Sequence, residues 1–230
     1  MNYISKYLVF ITLCCTQSIF GDAPFLDASA KHGKKIVMIN PAGHAGDAGR
    51  KLKNSYERAE TIKMAQYIQE RLESKNDNLR VVLTRTPGET VVDFQNASFA
   101  NRLSVDLFLS LHFYASERPK HEIYIYYYVA DPIADFARRN TPELSFIPVM
   151  QAHQFNIYKT RHIAERLQSS ISGSLNRETF EFVDLLGIPV KPLLGIASPA
   201  ILFEIGWSQG DTSSWKDAAD CLIDGVDEIL

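Results

Sequence analysis

The stretch Lys35-Ile36-Val37-Met38-Ile39-Asn40-Pro41-Ala42-Gly43-His44-Ala45-Gly46-Asp47-Ala48-Gly49 decides how the chain folds. Ile36 to Ile39 is a short continuous apolar run of the kind that forms a buried strand. The glycines after it let the backbone turn tightly and leave the His44 imidazole accessible. Beyond the loop, Ile62, Ala65, Ile68 and Leu72 recur at helical spacing, which predicts a helix from about Glu57 to Ser74. A buried strand, a tight loop and an amphipathic helix in that order begin an α/β domain.

The same alternation continues outward. Leu79 to Leu83 reads as the next strand, a helix ends near Leu103, and Asp106 to His112 is another short apolar strand. Glu122 to Val129 is aromatic and strand-favouring. Residues 131–154 carry Pro132, Pro142 and Pro148, so this segment is expected to be irregular with at most one helical piece. A helix around Thr160 to Ser174, a strand Ala200 to Ile205 and a closing helix from Ser213 to Ile229 complete the pattern. The fold expected is a single α/β domain over residues 35–230, with a mixed, mostly parallel sheet flanked by helices.

Composition narrows the class of function. The chain has 230 residues, of which 46 % are hydrophobic and 22 % charged, an ordinary globular balance with length enough for a real core. A net charge of −3 provides no basic footprint, so no nucleic-acid partner is expected.

The N-terminus departs from that balance. Lys6 precedes the run Tyr7 to Cys15, too short to span a bilayer and suited to the apolar region of an export signal. Residues 1–21 are therefore expected to be a signal peptide and 22–34 a short lead-in, with the mature protein secreted across the inner membrane into the periplasm. The other reading of the run is a buried element at the start of the domain. Cys14 would suit a lipid anchor, but the bulky Leu13 before it is a poor match. Of the three cysteines only Cys221 survives such a cleavage, so no intramolecular disulfide forms.

Several side chains then stand out by position, because open α/β sheets place their ligand sites at the carboxyl ends of strands. His44 follows the first strand, and alone it would be a solvated loop histidine. Glu57 opens a helix, where the dipole favours a carboxylate in any case. His112 closes an apolar strand and could be a core histidine bonded to a carbonyl. Glu204 lies in a strand apolar on both faces, where an ionised carboxylate needs a cation or donors, and a salt bridge to Arg85 or Arg102 would satisfy it. Taken together, two histidines and a carboxylate make a catalytic zinc set with a fourth position open for water. Such a centre needs a separate carboxylate to move protons to the leaving amine, and Glu204 fits that role.

The chain shows in order the strand Ile36 to Ile39, His44 in its glycine loop, the helix-opening Glu57, Thr84-Arg85, Ala100-Asn101, Ser110-Leu111-His112 and Glu204-Ile205-Gly206. In this order of features it resembles the zinc-dependent N-acetylmuramoyl-L-alanine amidases of the Amidase_3 type. The resemblance runs from Lys35 to Leu230. It implies Zn2+ held by His44, Glu57 and His112, with Glu204 as the catalytic glutamate. It also implies hydrolysis of the amide between N-acetylmuramic acid and L-alanine in peptidoglycan, a muropeptide or a lipid-linked precursor. Departures are Asn40 for the family's acid, Ala42 as an extra residue before Gly43, Asp47 one position early, Asn96 for an arginine, and Tyr114 where an Asn is common. Glu60 is the alternative to Glu57, which keeps the better register with Ile62 and Ala65. Some relatives carry an inserted helix that plugs the site. The corresponding residues 131–154 look too short and proline-rich for that, so a monomer needing no obligatory activator is expected.

Three other readings compete. Ser213-Ser214-Trp215-Lys216 spells the Ser-x-x-Lys of penicillin-sensitive serine carboxypeptidases, a short pattern that arises by chance, with Ser213 or Ser214 as a helix cap its plainer explanation. Gly43, Gly46 and Gly49 follow a strand as a phosphate loop would, but neither nucleotide-binding spacing is present. A non-catalytic wall-binding module would retain its function in Glu204→Ala.

Overall fold

In the computed structural model, residues 33–137, 148–208 and 215–230 are described, and Gly33–Leu230 is one compact unit. Its centre is a six-stranded sheet in the order β2-β1-β3-β6-β4-β5. The strands are β1 (Lys35–Pro41), β2 (Leu79–Leu83), β3 (Leu107–Ser116), β4 (His121–Tyr127), β5 (Phe180–Gly187) and β6 (Ala200–Ser208). The helices are α1 (Glu57–Lys75), α2 (Asp93–Leu103), the short α3 (Pro132–Ala137), α4 (Ile157–Ser174) and α5 (Trp215–Ile229). β1, β2, β3 and β6 run parallel, β4 is antiparallel to β6, and β5 is parallel to β4. The expected mixed, mostly parallel α/β sheet is therefore present.

Residue alternation explains which face each helix covers. Odd-numbered residues of β1, β3, β4 and β6, such as Val37, Leu109, Phe113, Ile125 and Phe203, join one large core with α1, α4 and α5. That face is apolar along most of the length of the strands. Even-numbered residues start the same way, with Met38, Phe108, Ala200 and Leu202 packed under Ala97 and Ala100 of α2 and under Leu193 and Ile196. Past that cover the even positions turn polar: Asn40 in β1, Ser110, His112, Tyr114 and Ser116 in β3, Glu204 in β6. The sheet thus emerges from under α2 at its carboxyl edge with functional side chains on the open face.

Several elements extend or modify the sequence expectation. β3 runs four residues past His112, and β6 continues to Ser208. Two strong pieces fall within 131–154, the helix α3 and a 3-10 stretch Val149–Phe155, where one at most was expected. Asp135 holds both together: its Oδ2 lies 2.9 Å from His153 Nε2, and its Oδ1 accepts from Gln154 at 2.7 Å. β5 had no counterpart in the sequence reading. The proposed signal peptide, the lead-in up to His32 and Ser213 and Ser214 lie outside the described residues. Among the described residues no helix is long and apolar enough to cross a membrane.

Candidate active site

Glu57 and His112 meet. The Glu57 Oε1 atom lies 3.0 Å from His112 Nδ1 and accepts from the Phe113 N–H at 3.1 Å, while Oε2 accepts from the Arg50 N–H at 3.0 Å. Gly49 makes this possible: its φ is +70°, and a β-carbon there would lie 2.7 Å from Glu57 Oε2. Burial alone would push the Glu57 carboxyl up, but the His112 hydrogen bond, the Arg50 N–H and the charges of both residues bring it below the usual carboxylate range. Glu57, not Glu60, faces β3. Glu60 accepts instead from Ser55 at 2.6 Å and pairs with Lys63 at 3.2 Å.

Glu204 sits opposite His112, because β3 and β6 pair those two residues in register. Its partner cation is neither Arg85 nor Arg102. Arg50 Nη1 lies 2.6 Å from Glu204 Oε1, and the Tyr126 hydroxyl donates to Oε2 at 2.9 Å. Burial, then the charge and hydrogen bond of Glu204, push the Tyr126 phenol up, so it remains a donor. Arg50 also reaches towards Glu57, with Nε 3.9 Å from Oε2, and its guanidinium lies 5.8 Å from the Tyr114 ring centre. A cation therefore stands between the two glutamates.

A buried hydrogen-bond chain supports His112 from below. Ser110 Oγ is 3.0 Å from His112 Nε2 and accepts from Asn40 Nδ2 at 3.1 Å, and Asn40 Oδ1 accepts from Thr84 at 2.9 Å and Asn96 at 3.0 Å. Arg50 and Tyr126 were not singled out by the sequence reading, and Ser110, Asn40, Thr84 and Asn96 were noted only as matches to or departures from the family pattern, not as a connected chain. The even-numbered polar residues of β1, β3 and β4 were the available signal.

His44 is the site residue that stands apart. Its Nδ1 accepts from the Gly46 N–H at 3.1 Å, and it lines a cleft with Arg58, Lys63 and Arg85. Among the described residues no group of three His, Cys, Asp or Glu side chains is placed to hold a metal ion. Lys216 is placed on the opposite side of the sheet from Glu204, in α5, with its ammonium 5.8 Å from the Tyr67 ring of α1.

Against known proteins, the family model for N-acetylmuramoyl-L-alanine amidase matches residues 37–216, a span that includes all four site residues. The chain belongs to the N-acetylmuramoyl-L-alanine amidase family. A relative, the N-acetylmuramoyl-L-alanine amidase CwlM of Bacillus licheniformis, is 33 % identical over 101 residues, covering 44 % of this chain; the chain spans 40 % of that relative's length. Among solved structures, the family's fold appears in an N-acetylmuramoyl-L-alanine amidase from Clostridium difficile 630, with a TM-score of 0.56 at 20 % identity over 86 % of this chain and 95 % of that one. Ami1 of Mycobacterium smegmatis superposes with a TM-score of 0.61 at 13 % identity, over 86 % and 97 % of the two chains.

Proposed function

We propose that this chain is a zinc-dependent N-acetylmuramoyl-L-alanine amidase, hydrolysing the amide between N-acetylmuramic acid and L-alanine in peptidoglycan or its precursors. The observation that carries the reading is the contact of Glu57 with His112 directly across the strand register from Glu204, on the open face of the carboxyl edge.

The donor types suit zinc: two imidazoles and one carboxylate, from His44, Glu57 and His112. Glu57 Oε1 and His112 Nδ1 stand 3.0 Å apart, close enough that one ion could meet both. Arg50 bridging Glu57 and Glu204 is further support, since these acids are arranged to face positive charge. His44 would complete the set after leaving its bond to Gly46. When bound, zinc supplies Lewis acidity towards the scissile carbonyl and water.

The chain's own residues supply the rest. Ser110 fixes the His112 ring through Nε2, and the Asn40 chain holds Ser110. Glu204 takes a proton from the attacking water and returns it to the departing L-alanine nitrogen, with Arg50 and Tyr126 orienting its two oxygens. Export to the periplasm, a monomeric state and independence from an activator belong to the same proposal. Supporting the last, the chain just after the 131–154 segment anchors at the amino edge of the sheet, away from Glu204: Asn156 donates to the Ala197 carbonyl at 2.8 Å, just before β6.

Mass spectrometry of products from defined muropeptides tests the reading. Free L-alanine-terminated peptide and intact N-acetylmuramic acid are expected, lost on chelation and restored by zinc. Full turnover by metal-free protein would overturn the zinc assignment. Cleavage elsewhere in the peptide would overturn the bond assignment.

A further inference from the structure

One cavity borders the amidase site through the proposed ligand His44, while its other lining residues take no part in the amidase reading. A cleft of about 630 Å3 opens between the first turns of α1 and the connection after β2. Its walls are largely apolar, from Ala45, Ala59, Ile62 and Pro87, and its charged side chains are all basic: Arg58, Lys63 and Arg85. No aspartate or glutamate lines it among the described residues.

Arg85 is the most buried of the three basic groups, only 5 % exposed. Its guanidinium donates to the carbonyls of Pro41 at 3.1 Å, Ala42 at 3.0 Å and Arg58 at 3.1 Å. Those carbonyls occupy N–H groups but leave the charge unmatched, and no ion pair to Arg85 exists among the described residues. Arg58 is likewise bonded to carbonyls, those of His44 and Ala45 at 3.3 and 3.2 Å. Only Lys63 has an acid partner, Glu60 at 3.2 Å. Uncompensated buried charge is costly, and low-dielectric walls focus the field of like charges into the space they enclose. Guanidinium groups at such a place are suited to carboxylates, and the apolar walls to the alkyl arm that carries one. The cleft adjoins the site, since His44 lines it and Arg58 bonds the His44 carbonyl.

We propose that this cleft is a carboxylate subsite for an acidic residue of the peptide attached to the scissile amide. The substrate identity rests on the amidase reading, while the anion preference of the cleft does not. The full chain is therefore titrated calorimetrically with L-alanyl-D-glutamate, which has no muramoyl amide to cleave, and with its diamide. The diacid is expected to bind about tenfold more tightly than the diamide, the effect of one charge-assisted hydrogen bond of roughly 1.4 kcal/mol. Lys63→Gln and Arg58→Gln should each remove most of that preference without changing the affinity for the diamide. Lys63 is 60 % exposed in its side chain, so its replacement leaves the fold unchanged even if Arg58→Gln loosens the 44–45 loop. Equal binding of diacid and diamide, or full preference in both variants, would overturn the subsite, as would inorganic phosphate displacing the diacid at equal concentration. Hydrolysis of N-acetylmuramoyl-L-alanine, which lacks the acidic residue, is followed in parallel. Its absence counts against the amidase reading, whereas its presence with no diacid preference counts against the subsite alone.

Discussion

Asn40 receives hydrogen bonds from Thr84 and Asn96 and passes one to Ser110, so a residue that departs from the family pattern anchors the whole support of His112. The departure at 96 is coupled to it. Where the family pattern has an acid and an arginine, this chain has two neutral amides bonded to each other at 3.0 Å. Restoring only the acid should be costly. Asn40→Asp is expected to lose roughly 3 kcal/mol of stability, and Asn40→Asp with Asn96→Arg to recover part of it, with a coupling of about 0.5–3 kcal/mol in a urea double-mutant cycle. Additive losses would show that the two positions are independent. At the catalytic carboxylate, Glu204→Gln keeps the shape but removes the base, so kcat should fall by about 10²–10⁴ with the melting temperature little changed, measured by muropeptide turnover and calorimetry. Of these residues, His44, Glu57, His112 and Glu204 could be singled out along the chain: His44 follows a strand, Glu57 opens a helix, and His112 and Glu204 are polar residues within otherwise apolar strand runs. Arg50 could not. It lies in a loop with no periodicity, and only the fold brings it to Glu204, 154 positions away.

Among the elements, β3 and β6 carry the site, and one close approach between them fixes its floor. Gly206 lies opposite Tyr114 in the register, and a β-carbon at Gly206 would overlap the Tyr114 phenol. The Tyr114 hydroxyl is held there by Glu122 at 2.8 Å, beside Ser116 at 2.6 Å from the same oxygen. Gly206→Ala should therefore destabilise by about 1–3 kcal/mol, and much less in a Tyr114→Ala background, read from denaturant midpoints. An unchanged midpoint in the single variant would mean that the ring moves aside freely. The strands with continuous apolar runs were legible from sequence, but their ends were not. Past His112, Tyr114 and Ser116 are polar and Ala115 is exposed, which resembles a loop until the half-covered sheet is known. β5 escaped notice for a related reason: it is an edge strand, and a register shift between Ile123 and Tyr124 of its partner breaks the alternation.

For the whole molecule, the buried carboxylates link stability to pH. Burial would raise the Glu122 carboxyl, but hydrogen bonds from Ser116 and Tyr114, the charge of Arg118 and a bond from Tyr124 bring it below the usual range. Asp135 behaves alike, through Gln154, His153 and the N–H groups of Asp131 and Ala130. Since folding lowers both values, their stabilisation is complete above the unfolded carboxylate range and is lost as pH falls through the folded values. The melting temperature should hold from pH 7 to about 5 and then fall, and Glu122→Gln should flatten that fall while lowering the plateau. A profile identical to the parent would remove Glu122 from the account.

The reversal of direction at β4 gives the molecule two rims with separate duties. Because β4 and β5 begin where β3 and β6 finish, the turns at 117–120 and 176–179 border the reaction mouth, whereas 188–199 closes the opposite end. Lengthening the first two would reshape what the mouth can grip. Lengthening the last would leave it untouched, which makes that stretch the natural place to attach a tether or reporter.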